Sequence, residues 1–96
     1  MSPINKKKLN LLRIKLDKLD NELLKLIKKR SNLVNEVLKV KIHKKEIIDQ
    51  KRIDFILKKI KKKSILLNVD PKITKRIWKN MIWSFIDYEK RNFKKK

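Results

Sequence analysis

Apolar residues recur through the first part of the chain at alternating steps of three and four residues. The ten positions of this seam are Leu9, Leu12, Leu16, Leu19, Leu23, Leu26, Arg30, Leu33, Val37 and Val40. Such spacing places side chains on one face of an α-helix and is typical of helices that pack against other helices. With Ser2 and Pro3 as N-cap and first-turn residue, it predicts a first helix over about residues 4–41.

This first helix is too long for a compact chain of its size. At 1.5 Å per residue it extends roughly 57 Å. A compact monomer of 96 residues has a radius of gyration of only about 12–13 Å. We therefore expect the apolar seam to be buried against a second chain.

A second helix is predicted over about residues 49–65. Asp49 has the side chain of an N-cap, and Ile48 and Ile53 stand at the positions of a hydrophobic staple. The apolar face of this helix consists of Ile53, Ile56, Leu57 and Ile60.

Asp70 and Pro71 predict the start of a third helix, over about residues 71–92. Its stripe consists of Ile77, Trp78, Met81, Ile82, Phe85, Ile86 and Glu89. Nothing alternates as a strand does. The predicted fold is all-α, a single domain over residues 1–96 with three helices, the first of them very long.

The composition excludes several classes of site. Without cysteine the chain has no disulfide framework or thiolate metal ligand, and its single histidine, His43, leaves zinc without a ligand set. Without glycine it has no P-loop or dinucleotide fingerprint. We expect no metal and no cofactor. No signal peptide or membrane-spanning segment is recognisable, so the expected location is the cytoplasm and no membrane partner is expected.

The formal net charge of +20 admits two interpretations. A basic helical module that binds nucleic acid is one, because cationic chains attract polyanions. Coding bias in an A/T-rich genome is the other, since only five of the 30 cations are arginine and the lysines are spread over the whole chain. The even spread favours the second interpretation, so we do not expect nucleic acid as a partner.

A few charged residues interrupt the apolar faces of the first and third predicted helices. Arg30 occupies a seam position, and Lys41 follows eleven residues later on nearly the same face, about 16 Å along the helix. The two cations can line one anion-binding cleft, or Arg30 can set the register while Lys41 extends into solvent. Glu89 ends the apolar face of the third helix and can pair with Arg30 or with a lysine. Arg13 lies about 25 Å from Arg30 along the helix, so it can serve the same small site only from a partner chain.

Several segments resemble the AroQ-type, all-helical chorismate mutases. The similarity begins in the stretches Leu16–Arg30 (LDKLDNELLKLIKKR) and Val37–Lys41 (VLKVK). It continues through Asp49–Arg52, the Asp70-Pro71 helix start and Ile82–Glu89. The resemblance implies an intertwined helical homodimer whose long first helices cross between subunits. It also implies a cofactor-free isomerase that converts chorismate to prephenate in aromatic amino acid biosynthesis.

The resemblance assigns roles to the cations of the first helix. Arg13 corresponds to the arginine that reaches into the neighbouring subunit and holds one substrate carboxylate. Arg30 corresponds to the arginine that holds the other carboxylate within its own subunit. Lys41 corresponds to the lysine that donates hydrogen bonds to the ether oxygen and a carboxylate of the substrate.

Three further residues acquire expected roles in the same way. Asp49 and Arg52 match the loop and helix start that close over the ligand. Glu89 stands where a second hydrogen bond to the ether oxygen is donated, by Gln in many members and by Glu in some. The resemblance thus implies Lys41, Glu89 and Arg30 as catalytic residues, and all six residues as substrate-binding.

Two positions depart from the mutase pattern. The mutases commonly have a glutamate that binds the substrate hydroxyl where this chain has Ile53, and many have serine where it has Phe85. An apolar and an aromatic residue at these positions resemble the isochorismate-pyruvate lyase branch of the same fold, which forms salicylate. The mutase reaction is the first expectation, and the lyase reaction is the alternative.

Overall fold

The computed structural model describes residues 2–94, and this part of the chain folds into helices joined by short connections. The elements are α1 (Pro3–Val40), a 3-10 turn (Lys44–Ile47), α2 (Gln50–Leu66) and α3 (Pro71–Asn92). Residues 2–94 contain no strand, and none of their helices is long and apolar enough to cross a membrane. The predicted all-α class and the very long first helix are confirmed, and each helix boundary lies within one residue of its prediction.

The helix starts follow the capping residues that the sequence indicates. The Asp49 carboxylate accepts a hydrogen bond from the backbone N–H of Arg52 at 3.0 Å, and the Asp70 carboxylate accepts one from Lys72 at 2.9 Å. The Ser2 hydroxyl does the same at the start of α1. Each cap satisfies an N–H group that has no partner within its helix, which fixes where the helix begins.

The chain divides into two units between Leu33 and Val34, within α1. Helix α1 presents most of its seam side chains to solvent. The seam side chains of α1 that are 47% to 74% exposed are Leu12, Leu16, Leu19, Leu23, Leu26, Leu33, Val37 and Val40. No residue of α1 is buried. A single chain therefore leaves the apolar pattern of α1 uncovered.

The core of the second unit lies between α2, α3 and the 3-10 turn. Its buried residues are Ile47, Ile53, Ile82 and Ile86, with Ile56, Leu57 and Phe93 packed against them. The predicted staple residue Ile48 is 41% exposed, whereas Ile47 is 3% exposed. The 3-10 turn ends at Ile47, so the side chain of Ile47 rather than that of Ile48 enters the core beside Ile53.

A hydroxyl pair joins α2 to α3 near the turn between them. Ser64 is 4% exposed, and its Oγ lies 2.7 Å from Thr74 Oγ1 and 2.6 Å from the Ile60 carbonyl oxygen. In the turn, Asn68 has a φ of 56°, a left-handed conformation that asparagine tolerates better than most residues. These contacts set where α3 starts along α2, and hence where the end of α3 lies in this unit.

Candidate active site

Lys41 and Glu89 form an ion pair inside the second unit. Lys41 Nζ donates to Glu89 Oε1 at 3.2 Å, although the two residues are 48 positions apart. The side chains are only 17% and 7% exposed. The sequence left open whether Glu89 pairs with Arg30 or with a lysine, and in the structure Glu89 pairs with Lys41.

The position of Lys41 is set by the backbone around it. Lys41 directly follows the last residue of α1, and its N–H donates to the Leu38 carbonyl at 3.3 Å. The next N–H, that of Ile42, donates to Glu46 Oε2 at 3.0 Å. Sequence reasoning did not identify Glu46, because its role depends on a loop that turns back on itself. These hydrogen bonds fix the backbone after α1 and so position the ammonium group of Lys41.

Glu89 lies on the face of α3 that enters the core. The apolar residues Ile82 and Ile86 precede it on this face and are 5% and 6% exposed. A buried carboxylate without a partner costs several kcal/mol, so the nearby ammonium of Lys41 offsets a penalty that the apolar face imposes. The arrangement places a donor cation and a carboxyl group side by side with little water around them.

A second polar contact lies beside this pair. Tyr88 OH donates to Asn35 Oδ1 at 2.7 Å, and both residues are half-buried. Sequence reasoning missed both, since neither interrupts an apolar stripe and the two are 53 positions apart. No local pattern marks them; only the packing of α3 near the end of α1 brings them together.

Asp49 and Arg52 lie at the start of α2, and both are exposed. The carboxylate of Asp49 is engaged in capping the helix. The guanidinium carbon of Arg52 is 5.3 Å from the ring centroid of Phe55, one turn along the same helix. Asp49 and Arg52 thus each contact a nearby residue of α2, at the loop and helix start that the sequence predicts to close over a ligand.

The two other predicted site residues belong to α1 in the first unit. Arg13 is exposed, and Arg30 is half-buried at its seam position. Within residues 2–94 no group of three or more histidine, cysteine or acidic side chains is placed to hold a metal ion. Among the six predicted site residues, four are cations, and Glu89 is the buried carboxyl group.

The part of the chain that contains the predicted site residues also matches a known protein family. A family model described as chorismate mutase type II matches residues 12–90, which is most of the chain. The chain belongs to the chorismate mutase type II family. The matched span runs from before Arg13 to beyond Glu89 and so includes all six predicted site residues. Searches of the curated proteins and of the solved structures gave no match.

Membership in the chorismate mutase type II family supports chorismate mutase activity in general. The activity is an isomerisation, and chorismate is the substrate that the family implies. The resemblance found in the sequence is confirmed at the level of the family.

The structure accounts for one of the two departures from the mutase pattern. Ile53 is 6% exposed and belongs to the buried core of the second unit. Its side chain is thus a packing residue and offers no polar group to a ligand. Phe85 is half-buried and lies one turn before Glu89 on α3.

Proposed function

We propose that this chain is a homodimeric chorismate mutase that converts chorismate to prephenate without a cofactor, as a step of aromatic amino acid biosynthesis. One observation carries the proposal. Lys41 Nζ and Glu89 Oε1 lie 3.2 Å apart in a largely buried setting. Two groups at this separation can both reach one small acceptor atom, here the ether oxygen of the substrate.

The proposed mechanism relies on charge and restraint. The rearrangement is pericyclic and needs no nucleophile, so the protein has to hold the reactive conformation and stabilise charge that develops on the breaking C–O bond. Lys41 supplies a compact positive charge at the ether oxygen. In the structure Glu89 accepts a hydrogen bond from Lys41 as a carboxylate; in the proposed complex it donates a second hydrogen bond to the ether oxygen as the protonated acid.

The remaining roles concern the two carboxylates of the substrate. The guanidinium of Arg30 is suited to bind one of them with two parallel hydrogen bonds. Arg13 binds the other from a second copy of the chain. The exposed apolar seam of α1 supports the proposal of a dimer, because a second copy that covers this face removes many leucine side chains from water. Asp49 and Arg52 close over the bound ligand at the start of α2.

The lyase alternative is favoured by one specific observation. The side chain of Ile53 lies in the core where the mutases commonly present a glutamate to the substrate hydroxyl. A site that lacks this contact holds the hydroxyl-bearing ring less specifically. Elimination of pyruvate from isochorismate by the same fold is therefore the second candidate.

A direct assay separates the two reactions. We expect the purified protein to consume chorismate and form prephenate, and to form little or no salicylate from isochorismate, because its cations and Glu89 match the mutase reaction. Product formation is followed by chromatography in parallel incubations. Faster release of salicylate than of prephenate would assign the chain to the lyase reaction. Turnover of neither compound would contradict both proposals.

The proposed role of Glu89 predicts that a neutral donor can replace its carboxyl group. The glutamine of Glu89→Gln keeps a hydrogen-bond donor at this position, whereas Glu89→Met keeps a side chain of similar size without one. We expect Glu89→Gln to keep most of the wild-type kcat/KM and Glu89→Met to lower it by about 10²-fold, because removing one donor to a developing negative charge has an effect of this order. Initial rates with chorismate measure both variants. Equal losses in the two variants would remove the donor role of Glu89 from the mechanism.

A further inference from the structure

Polar contacts take part in placing α3 beside the end of α1, where the apolar residues Val34 and Leu38 are half-buried. The buried cluster of the second unit draws its residues from α2, α3 and the 3-10 turn. Among the described residues, α1 contributes no buried side chain to it. Two polar contacts connect α3 to the end of α1 and to the residue that follows it, Tyr88 to Asn35 and Lys41 to Glu89.

These two contacts form a pair with a definite geometry. Tyr88 and Glu89 are neighbours on α3, so their side chains leave the helix about 100° apart. Asn35 and Lys41 are six residues apart, about 9 Å at helical rise. The isoleucine core and the Ser64–Thr74 contact hold α3 against α2. Two hydrogen bonds that diverge in this way further constrain the rotation of α3 and its displacement along the end of α1.

We propose that Tyr88 and Asn35 are positioning residues, which act through Lys41 and Glu89 by holding α3 in the register that brings these two groups together. This inference rests on the function proposed above. Lys41 and Glu89 must approach one atom from two helical segments. Reaction rates are sensitive to displacements of about 1 Å in such arrangements. The Tyr88 hydroxyl contributes by constraining the neighbouring residue, without contact to the substrate.

The first test compares kinetics. We expect Tyr88→Phe, which removes only the hydroxyl, to lower kcat about 10-fold with little change in KM. Asn35→Ala should have the same effect, and the double variant should be no worse than either single variant, since both remove one contact. Asn35→Asp keeps an acceptor oxygen and should restore most of the activity.

Ser84→Ala is the matched control for these variants. The Ser84 hydroxyl is exposed and donates to the Asn80 carbonyl within α3, so its removal breaks no contact between helices. It should leave kcat unchanged. Unaltered kcat in Tyr88→Phe, or effects of Tyr88→Phe and Asn35→Ala that simply add, would overturn the positioning role.

A second measurement does not depend on turnover. Acetylation of Lys41 relative to Lys39 is measured by mass spectrometry on the native protein without substrate. Lys39 is exposed and serves as the internal reference. If the Tyr88 hydroxyl holds Glu89 against Lys41, the Lys41/Lys39 ratio should rise about threefold in Tyr88→Phe, because the Lys41 ammonium is less well paired. A ratio equal to that of the wild type would overturn the inference, whereas absence of turnover in the wild type alone would overturn only the proposed function.

Discussion

Replacing Lys41 with methionine is expected to lower kcat/KM for chorismate by about 10²–10³-fold, the usual effect of removing one donor to a developing negative charge. Methionine keeps an unbranched side chain one atom shorter than that of lysine and removes the ammonium group. Lys39→Met is the matched control, because Lys39 lies two residues earlier on α1 and its side chain is 71% exposed. We expect that control to stay within twofold of the wild type. Activity of Lys41→Met within threefold of the wild type would contradict the proposed role.

The same substitution also affects stability, and a further variant separates the two effects. Lys41→Met leaves the carboxylate of Glu89 buried without its cation, at a cost of about 3 kcal/mol in the free energy of unfolding. Replacing a buried ion pair by apolar residues of similar volume is often neutral. We therefore expect Lys41→Met/Glu89→Met to regain stability in urea unfolding while remaining inactive. Recovery of activity together with stability would show that Lys41 acts through folding alone.

Mixing Arg13→Ala with Arg30→Ala is expected to restore activity that neither variant has by itself. In the proposed dimer each site takes Arg30 from one chain and Arg13 from the other. A mixed dimer therefore contains one intact site and one site that lacks both arginines. With free exchange of subunits, half of the dimers are mixed, and activity should reach about a quarter of the wild-type value per chain in a symmetric dimer.

The control for this experiment uses a chain that carries both substitutions. Arg13→Ala/Arg30→Ala mixed with Arg30→Ala leaves no site with an intact Arg30, so no recovery is expected. Activity is measured after unfolding and refolding the mixtures together, and sedimentation checks that dimers form. Failure of Arg13→Ala and Arg30→Ala to complement each other in such dimers would rule out the shared site.

The helices and their starts were predictable because the forces that form them act over a few residues. The three-and-four spacing of the seam and the caps at Asp49 and Asp70 placed every helix boundary within one residue. The sequence did not indicate that Ile47, rather than Ile48, would be the buried residue before α2. Which of Ile47 and Ile48 enters the core depends on where the 3-10 turn ends, and a run of two isoleucines gives no indication of that.

The candidate site was predictable in part. Polar residues on apolar faces drew attention to Arg30 and Glu89, since burying a charge is too costly without a compensating partner. Helix geometry added Lys41 on nearly the same face as Arg30 and Arg13 as a contribution from a partner chain. The resemblance to the family then assigned their roles and added Asp49 and Arg52 as site residues. Nothing in the local pattern pointed to Tyr88, because a tyrosine beside a stripe is compatible with solvent, with packing or with a hydrogen bond.

The sequence by itself determined the all-α class, the length of α1, the helix starts and the set of chemically suitable side chains, all of which follow from periodicity, capping and composition. Only the tertiary structure decided that Lys41 pairs with Glu89 and that Tyr88 reaches Asn35. The partners in these contacts are 48 and 53 residues apart. Their meeting depends on how α3 is held, by the isoleucine core and the Ser64–Thr74 contact against α2 and, as proposed above, by the Tyr88–Asn35 hydrogen bond against the end of α1.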